Sequence, residues 1–493
     1  MQQSQLDDEL SSNDHCCTIN RKYLIPKMFY FFYFAGLGAL LPYQPLFYKV
    51  LGIPAKKVGI ISGVQPFISF LFTPMWGAIA DKFKKGKLIF TISFVALTAV
   101  GIAYLLTPMP SCNVEIGKDS RREIAIGLNH SIFSRMFQTI AQSEKINRWP
   151  VNIMEDKEEN LVTLTINQQG NEKTLNAFLY LFFVSLFGTI LSCPGLALGD
   201  TAAVGLLREN NDVHKYGKQK KWASIGWGLA AFSFGALVSD KYLCPFIPGQ
   251  KARIDYSLCF YGSITLKLLA LFTGLQLNFD MNKDTVTDNK TNRVKQSGLY
   301  AAIRTLGEPH YIAFFVTVLY CGMTFGMIMG FFFWHLEDYL APQILFSIIP
   351  VVRCIADFIV YTISPRVITK IGLQNLIYLV LVVYVARLSC YAFITSPWYF
   401  LPLEFLSGLT SAGAWAGFVA YIGYHTVEGA PATLQGMLHG TYHGIGHGLG
   451  RVVGGFLFSS VGGQTTFFIF GAFGFLVLTQ YFLVNKTFKE SEK

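Results

Sequence analysis

The heptapeptide SIGWGLA, Ser224–Ala230, returns about 220 residues later as GIGHGLG, Gly444–Gly450. Both copies lie at the start of an apolar stretch of about 20 residues, the length that a helix needs to cross a bilayer. A fainter repeat joins Lys84–Gly86 to Lys370–Gly372 with a wider separation of about 286 residues. The sequence therefore predicts two related membrane-embedded halves in parallel arrangement, with an insertion of about 66 residues in the first half.

The amino-acid composition is that of a membrane protein. Of the 493 residues, 52% are hydrophobic, 15% are aromatic and only 14% are charged, whereas soluble domains contain about a quarter charged residues. The net charge of +10 fits an accumulation of Lys and Arg in cytosolic loops. No basic patch with interleaved aromatic residues stands apart from the apolar stretches, so we expect the lipid bilayer as a partner and no binding of nucleic acid.

Signatures of enzymes and of ATP-driven pumps are absent from the sequence. It contains no Gly-x-x-x-x-Gly-Lys-Ser/Thr, no Gly-x-Ser-x-Gly and no His-Glu-x-x-His. These motifs bind phosphates, present a nucleophile and bind zinc, respectively. We therefore expect neither an enzyme nor a resident cofactor, and the nine cysteines do not have the spacing of a metal site.

Twelve apolar segments are long enough to be transmembrane helices. We expect an all-α membrane protein in which twelve helices form two parallel repeats of six. Lys and Arg are absent from the short loops near Glu337, Pro397 and Gly462 but accumulate in the alternate loops, which places both termini in the cytosol. The segments centre on Leu37, Ser69, Ala96, Phe187, Ala231, Leu268, Gly322, Val352, Tyr384, Gly413, His447 and Gly474.

The helices and loops divide the chain into seven predicted parts. These parts are a cytosolic tail at 1–25, three helices in 26–106, an outer loop at 107–174, three helices in 175–278, a cytosolic linker at 279–309, six helices in 310–486 and a cytosolic tail at 487–493.

The 107–174 loop follows the third predicted helix and is expected to face the outside or a lumen. It mixes charged residues with short apolar runs and could hold a small folded element. Asn129 begins an Asn-His-Ser acceptor for N-glycosylation. Cys112 lies in this loop and Cys244 in another predicted outer loop, so these two thiols could form a disulfide.

The loop after the second predicted helix reads GAIADKFKK, Gly77–Lys85. It resembles the signature loop of the major facilitator superfamily, in which Gly is followed after three residues by Asp and a run of basic residues. The resemblance implies the fold of that superfamily. It also implies that Gly77, Asp81, Lys82 and Lys85 form a conformational latch on the cytosolic side, which favours the outward-open state.

The stretch Tyr216–Trp227 resembles the entry to the fifth helix of lactose-permease-like symporters. Lys220 stands where the permease has a sugar-binding Arg, and Lys lacks the planar fork that holds sugar hydroxyls. The resemblance therefore does not extend to galactoside transport. Trp227 could still offer a ring on which a solute stacks.

Three stretches of the second half resemble the animal family named major facilitator superfamily domain-containing protein six. They are Phe332–Asp338, Leu403–Thr410 and Ala432–Gly436. This resemblance implies a twelve-helix protein. We expect its location to be the plasma membrane or an endolysosomal membrane.

Two pairs of ionisable residues lie inside predicted helices of the second half, where charges are energetically unfavourable and mark functional positions. Arg353 and Asp357 are four residues apart, so they share one helix face and could pair. Arg387 and Glu404 lie about 15 Å and 11 Å from the same short outer loop at the helical rise per residue. They form a candidate buried ion pair.

His439, His443, His447 and Arg451 recur every four residues in a glycine-rich segment, so an α-helix would carry them on one face. Histidine titrates near neutral pH and could relay protons or contact a solute. The same row could serve packing and hydrogen bonding, or two His could bind a metal. Because no Cys or carboxylate in this segment completes a metal site, we predict no metal.

Together these features predict a monomeric secondary active transporter that moves a small-molecule polar solute by alternating access, most simply coupled to protons. The alternative is a cell-surface receptor or binding scaffold that retains the fold and uses its large outer loop. The candidate solute and proton pathway comprises Lys220, Trp227, Arg353, Asp357, His439, His443, His447 and Arg451.

Overall fold

The computed structural model describes residues 23–108, 154–156, 161–163, 171–209, 216–239, 241–243, 254–279, 308–424 and 431–491. The predicted glycosylation of Asn129 and the predicted disulfide between Cys112 and Cys244 lie outside these residues. They stay predictions, as do most of the features expected of the outer loop and the linker.

Helices make up nearly all of the described residues of the first half. Two of the long rods are interrupted, one by turns at residues 39–43 and the other by a turn at Cys193. The helices are α1 (Leu24–Gly38), α2 (Gln44–Val50), α3 (Ala55–Phe83), α4 (Gly86–Leu105), α5 (Asn171–Ser192), α6 (Pro194–Glu209), α7 (Tyr216–Val238) and α8 (Ser257–Gly274).

The second half contains the same kind of long rods, two of which include a π-helical segment. The elements are α9 (Pro309–Asp338), α10 (Gln343–Ile371), α11 (Leu373–Phe393), a 3-10 turn (Pro397–Tyr399), α12 (Phe400–Phe405), a first π segment (Leu409–Gly413), α13 (Ala414–Tyr424), α14 (Pro431–His439), a second π segment (Gly440–Gly446) and α15 (His447–Ser491).

The described residues of the predicted outer loop include a short element that is not helical. Strands β1 (Met154–Asp156) and β2 (Leu161–Thr163) pair in antiparallel register, with Met154 opposite Thr163. This short ladder lies inside the 107–174 insertion, so the helical character of the two halves is unaffected.

The helical rods have the length and apolar character that a membrane requires. Within the described parts of the chain, nine helical stretches are long and apolar enough to cross a bilayer. The last of them, Leu434–Thr487, is broken at Gly462, whose φ of 81° and ψ of 172° are accessible to glycine without strain. The expected helical membrane architecture is confirmed, while the count of twelve helices stays a prediction.

The sequence repeat corresponds to a repeated contact between backbones. In the first half α1 crosses α7, where a Cβ atom on Gly38 would lie 2.9 Å from the Cα of Trp227. In the second half α9 crosses the start of α15, where a Cβ atom on Gly326 would lie 2.9 Å from the Cα of His447. Glycine is required in both helices because only backbone fits at these crossings.

Ion pairs join the two halves at one end of the bundle, which we call the sealed end. Lys49 of α2 lies 3.0 Å from Glu337 and 2.7 Å from Asp338, both at the end of α9. The Lys49 ammonium group also lies 5.1 Å from the centre of the Trp334 ring. The sealed end is therefore closed by contacts between the first and the second half.

Two carbonyl groups that proline has released lie against side chains of the opposite half. Pro66 in α3 and Pro350 in α10 have no N–H, so the carbonyls of Ser62 and Phe346 lack their helical donors. Arg451 Nη1 donates to the Ser62 carbonyl at 3.1 Å. The Tyr43 hydroxyl donates to the Ala231 carbonyl of its own half at 2.6 Å and lies 3.4 Å from the Phe346 carbonyl. Each half therefore supplies one released carbonyl to a side chain of the other.

Candidate functional site

A buried carboxylate organises the charged residues of the second half. Glu404 of α12 is fully buried and accepts hydrogen bonds from three side chains on two neighbouring helices. Arg353 donates through Nε, Tyr391 through its hydroxyl group, and Arg387 through Nη2 at 3.0 Å. The two guanidinium partners offset part of the unfavourable desolvation of the carboxylate.

Arg387 of α11 has an acceptor for each of its three nitrogen atoms. Nε donates to Tyr391 at 2.7 Å and Nη1 donates to Thr410 at 2.8 Å, while Nη2 donates to Glu404. Arg387 is only 3% exposed. The geometry therefore places the predicted partners Arg387 and Glu404 in direct contact and resembles a structural brace between α11 and α12.

The structure corrects the expected pairing of Arg353 with Asp357. Arg353 bonds to Glu404 instead, and Asp357 accepts a hydrogen bond from Ser411 of the first π segment. Glu404 is enclosed on all sides, whereas Asp357 is only half-buried. Because charges interact more strongly where water is excluded, Glu404 is the better partner for the arginine.

The predicted histidine row is present at the start of α15 and in the elements before it. The ring centroids of His439 and His443 are 5.7 Å apart, and those of His443 and His447 are 5.5 Å apart. His439 and His443 are exposed and His447 is half-buried. The row passes through the second π segment, a kind of distortion that is frequent at functional sites.

The histidine row borders the junction between the halves. A Cβ atom on Gly444 would lie 2.8 Å from the Phe70 side chain of α3, so the second π segment packs directly on the first half. Across the parts of the chain that the structure describes, no cluster of three or more His, Cys, Asp or Glu is placed to hold a metal ion.

Trp415 of α13 belongs to this site although the sequence did not single it out. Its ring centroid lies 4.6 Å from that of His439 and 4.9 Å from that of His443. A tryptophan in an apolar helix gives no signal that separates a site residue from a packing residue. Its position against the histidines depends on how α13 packs on the second π segment, which the sequence pattern does not determine.

Asp200 of α6 is a second site residue that the sequence analysis missed. It accepts a hydrogen bond from the Tyr30 hydroxyl at 2.6 Å and lies 3.1 Å from Nζ of Lys220. A single carboxylate within an apolar stretch was a usable signal. Lys220 is therefore paired in the first half, and its ammonium group also lies 5.8 Å from the centre of the Tyr30 ring.

The residues of the predicted latch lie at the end of α3 that is remote from the sealed end. Asp81, Lys82 and Lys85 are exposed, and a Cβ atom on Gly77 would meet nothing within 4 Å. Asp81 forms no ion pair with any residue in the described ranges. In this conformation the charged latch residues therefore form no ion pair across the halves within the described ranges.

Comparison with known proteins identifies relatives over most of the chain. The family model described as MFS_1 like family matches residues 23–470. A protein of Danio rerio named major facilitator superfamily domain-containing protein 6-like is 22% identical over 431 residues, which cover 79% of this chain and 74% of that protein.

Two solved transporter structures have a similar fold. The nucleoside transporter NupG gives a TM-score of 0.66 at 16% identity, covering 95% of this chain and 100% of its own. A bacterial homolog of the human lysosomal transporter Spinster, in an inward-facing and unoccupied conformation, gives a TM-score of 0.61 at 11% identity, covering 95% of this chain and 97% of its own. At these identities the similarity concerns the fold alone.

Proposed function

The chain belongs to the MFS_1 like family, and from this premise we propose that it is a proton-coupled secondary active transporter that moves a small polar solute by alternating access. The predicted resemblance to the major facilitator superfamily is confirmed, and the chain is an integral membrane transporter rather than an enzyme. The coupling, the solute and the monomeric state belong to the proposal.

The observation that carries the proposal is that the ion pairs across the halves, among the described residues, all lie at one end of the bundle. Ion pairs of Lys49 with Glu337 and Asp338 close that end, while the exposed latch residue Asp81 at the other end has no ion-pair partner in the described chain. A carrier that alternates between two states needs contacts of this kind that can be broken and remade.

In the proposed topology twelve helices cross the membrane and both termini lie in the cytosol. The rods α1 with α2, α5 with α6, and the pieces from Pro397 to Tyr424 each count as one crossing, and the break at Gly462 divides the last rod into two. The sealed end then faces outward, so this conformation is the inward-facing one. Latch residues without an ion-pair partner in the described chain fit the inward-facing conformation, because the latch is expected to stabilise the outward-open state.

Asp357 and His443 are the proposed proton carriers. Asp357 is half-buried with Ser411 as its hydrogen-bond donor, and His443 is exposed beside Trp415. Each group therefore contacts a protein side chain and is also accessible to water, and proton exchange requires this access. Glu404 is less suitable as a carrier because two arginines hold it in its charged form.

The test is uptake of a solute panel into proteoliposomes under an imposed inward proton gradient. The panel includes nucleosides, sugars, amines, peptides and organic acids. We expect uptake that collapses with the gradient and that is lost in Asp357→Asn and His443→Ala but retained in His310→Ala, a histidine at the start of α9 that serves as control. Folded protein that moves no solute would favour the receptor alternative, in which ligands bind residues 107–174.

A further inference from the structure

Arg451 stands at the junction of the two halves with one edge of its guanidinium group lacking an acceptor. Nη1 donates to the carbonyl of Ser62 at 3.1 Å. Nε is buried and has no hydrogen-bond partner. Nε and Nη2 together form the side-on edge of a guanidinium group, and within the described residues this edge meets no acceptor.

The charge of Arg451 is also not neutralised by a carboxylate. Among the described residues no Asp or Glu side chain lies within ion-pair distance of it, whereas Lys49, Lys220, Arg353 and Arg387 each have such a partner. Charged groups inside a membrane normally pair with one another or lie on the path of a ligand. The guanidinium group of Arg451, which has no carboxylate partner among the described residues at the junction, therefore indicates a ligand that carries a negative charge.

Neighbouring helices hold the Arg451 side chain in a fixed place. Pro66 leaves the Ser62 carbonyl without a helical donor, which makes this carbonyl a fixed acceptor for Nη1. On the other side, a Cβ atom on Gly330 of α9 would lie 3.5 Å from the Cγ atom of Arg451. The orientation of the Nε–Nη2 edge is thus determined by α3 and α9 before any ligand arrives.

A second polar group without a partner lies one helical turn away. Nε2 of His447 is buried and forms no hydrogen bond with the chain. The imidazole ring stacks on Phe325 of α9, with ring centroids 4.8 Å apart and an angle of 9° between the planes. His447 and Arg451 are four residues apart on α15, so they lie on one face of the helix.

We propose that Nε and Nη2 of Arg451, with Nε2 of His447 as a further donor, bind the oxyanion of the transported solute, and that this solute is an organic anion bearing a carboxylate or phosphate group. The inference rests on the proposed transport function and adds the chemical class of the solute. The planar edge of a guanidinium group matches two oxygen atoms of such a group, which gives two parallel charged hydrogen bonds.

Binding can be measured without transport by the thermal unfolding of the purified full-length protein. The probes are matched pairs that differ only in the anionic group: adenosine with adenosine 5′-monophosphate, glucose with glucuronate, and glycerol with glycerate. Inorganic phosphate and chloride test for a free ion. We expect the anionic member of at least one pair to raise the unfolding temperature and its neutral partner to have no effect.

Three variants assign the effect to Arg451. Arg451→Gln should weaken binding of the anion by about tenfold to a hundredfold, the loss that follows removal of a charged hydrogen bond. Arg451→Lys keeps the charge but not the planar edge, and should also weaken binding. Lys56→Gln removes an exposed charge near the sealed end, where Lys56 lies over the Phe456 ring, and should leave binding unchanged.

The outcomes separate this inference from the transport proposal. Anion binding that depends on Arg451 supports the inference even if proteoliposomes show no uptake. Uptake of neutral solutes with equal affinity in wild type and Arg451→Lys overturns it while leaving transport intact. Stabilisation by inorganic phosphate alone, with no organic anion effective, also overturns it, since the anion would then not belong to the solute.

Discussion

At the scale of single residues, the charges of the second half differ in how completely the fold satisfies them. Glu404 and Arg387 are buried and fully bonded, so they behave as parts of the scaffold. Asp357 and His443 retain access to water, and Arg451 retains an unbonded edge. The groups available to bind or exchange protons are therefore those that the scaffold leaves incompletely bonded.

Replacement of Glu404 by Gln should destabilise the protein strongly. Two buried guanidinium groups would lose their common counter-charge, a change that typically costs about 3–5 kcal/mol. The thermal unfolding of the detergent-solubilised protein measures the effect. Glu308→Gln, at the exposed start of α9, is the matched control, and an equal effect of the two changes would contradict the structural role of Glu404.

Residue roles could be predicted from the sequence only where a simple geometric rule applied. Arg387 and Glu404 were paired by their similar depths on two helices joined by a short loop. The bond from Arg353 to Glu404 joins α10 to α12, which are not consecutive, and no depth rule identifies it. The position of Trp415 likewise depends on side-chain packing between elements that the sequence does not locate.

At the scale of elements, the close helix crossings are defined by glycine and the distortions by proline and π segments. The glycine-rich repeat coincides with places where helices approach each other, because backbone contact requires the absence of a side chain. The π segments could not be predicted. The sequence was interpreted with α-helical periodicity, whereas Leu409–Gly413 and Gly440–Gly446 have a wider turn.

Gly326→Ala should separate α9 from α15. The added Cβ atom would lie 2.9 Å from the Cα of His447, and backbone cannot move aside as a side chain can. Overpacking of this kind costs about 1–3 kcal/mol. Unfolding temperature is again the measurement, with Gly436→Ala as control, because a Cβ atom there meets nothing within 4 Å. A similar decrease in unfolding temperature in both variants would exclude the close crossing of α9 and α15 as the cause.

Pro66→Ala should weaken the seal between the halves. Alanine would supply an N–H donor to the Ser62 carbonyl, so Arg451 would have to compete for its acceptor. Labelling of Ser347→Cys by a membrane-impermeant maleimide, in a background without native cysteines, reports opening because Ser347 is buried near the sealed end. Pro74→Ala in the same helix is the control, and it should leave the labelling rate unchanged.

At the scale of the whole molecule, the two halves meet through a small set of contacts that favour one conformation. The ion pairs of Lys49, the hydrogen bond from Arg451 to the Ser62 carbonyl and the contact of Tyr43 with the Phe346 carbonyl all act across the junction. The sequence repeat predicted the two halves and the family resemblance implied their arrangement. Which end is closed depends on the relative stability of two states, and no local pattern in the sequence reports it.

Lys49→Glu should shift the molecule away from the sealed state. The substitution replaces two attractions, to Glu337 and Asp338, by two repulsions at a partly exposed position. A change of about 1.4 kcal/mol would alter the ratio of the two states tenfold. Faster maleimide labelling of Ser347→Cys is the expected result, and Glu337→Lys added to Lys49→Glu should slow it again. No acceleration would mean that the ion pairs do not hold the end closed.

The two released carbonyls also determine how this end must come apart. Neither has a donor within its own helix, so each binds water once the Arg451 or Tyr43 side chain that lies against it withdraws. Opening of the sealed end therefore includes the hydration of two carbonyl groups, one in each half. Osmotic stress lowers the activity of water and should therefore favour the state in which the sealed end is closed. The amide I band of a carbon-13 carbonyl at residue 62 should shift as this carbonyl becomes hydrated.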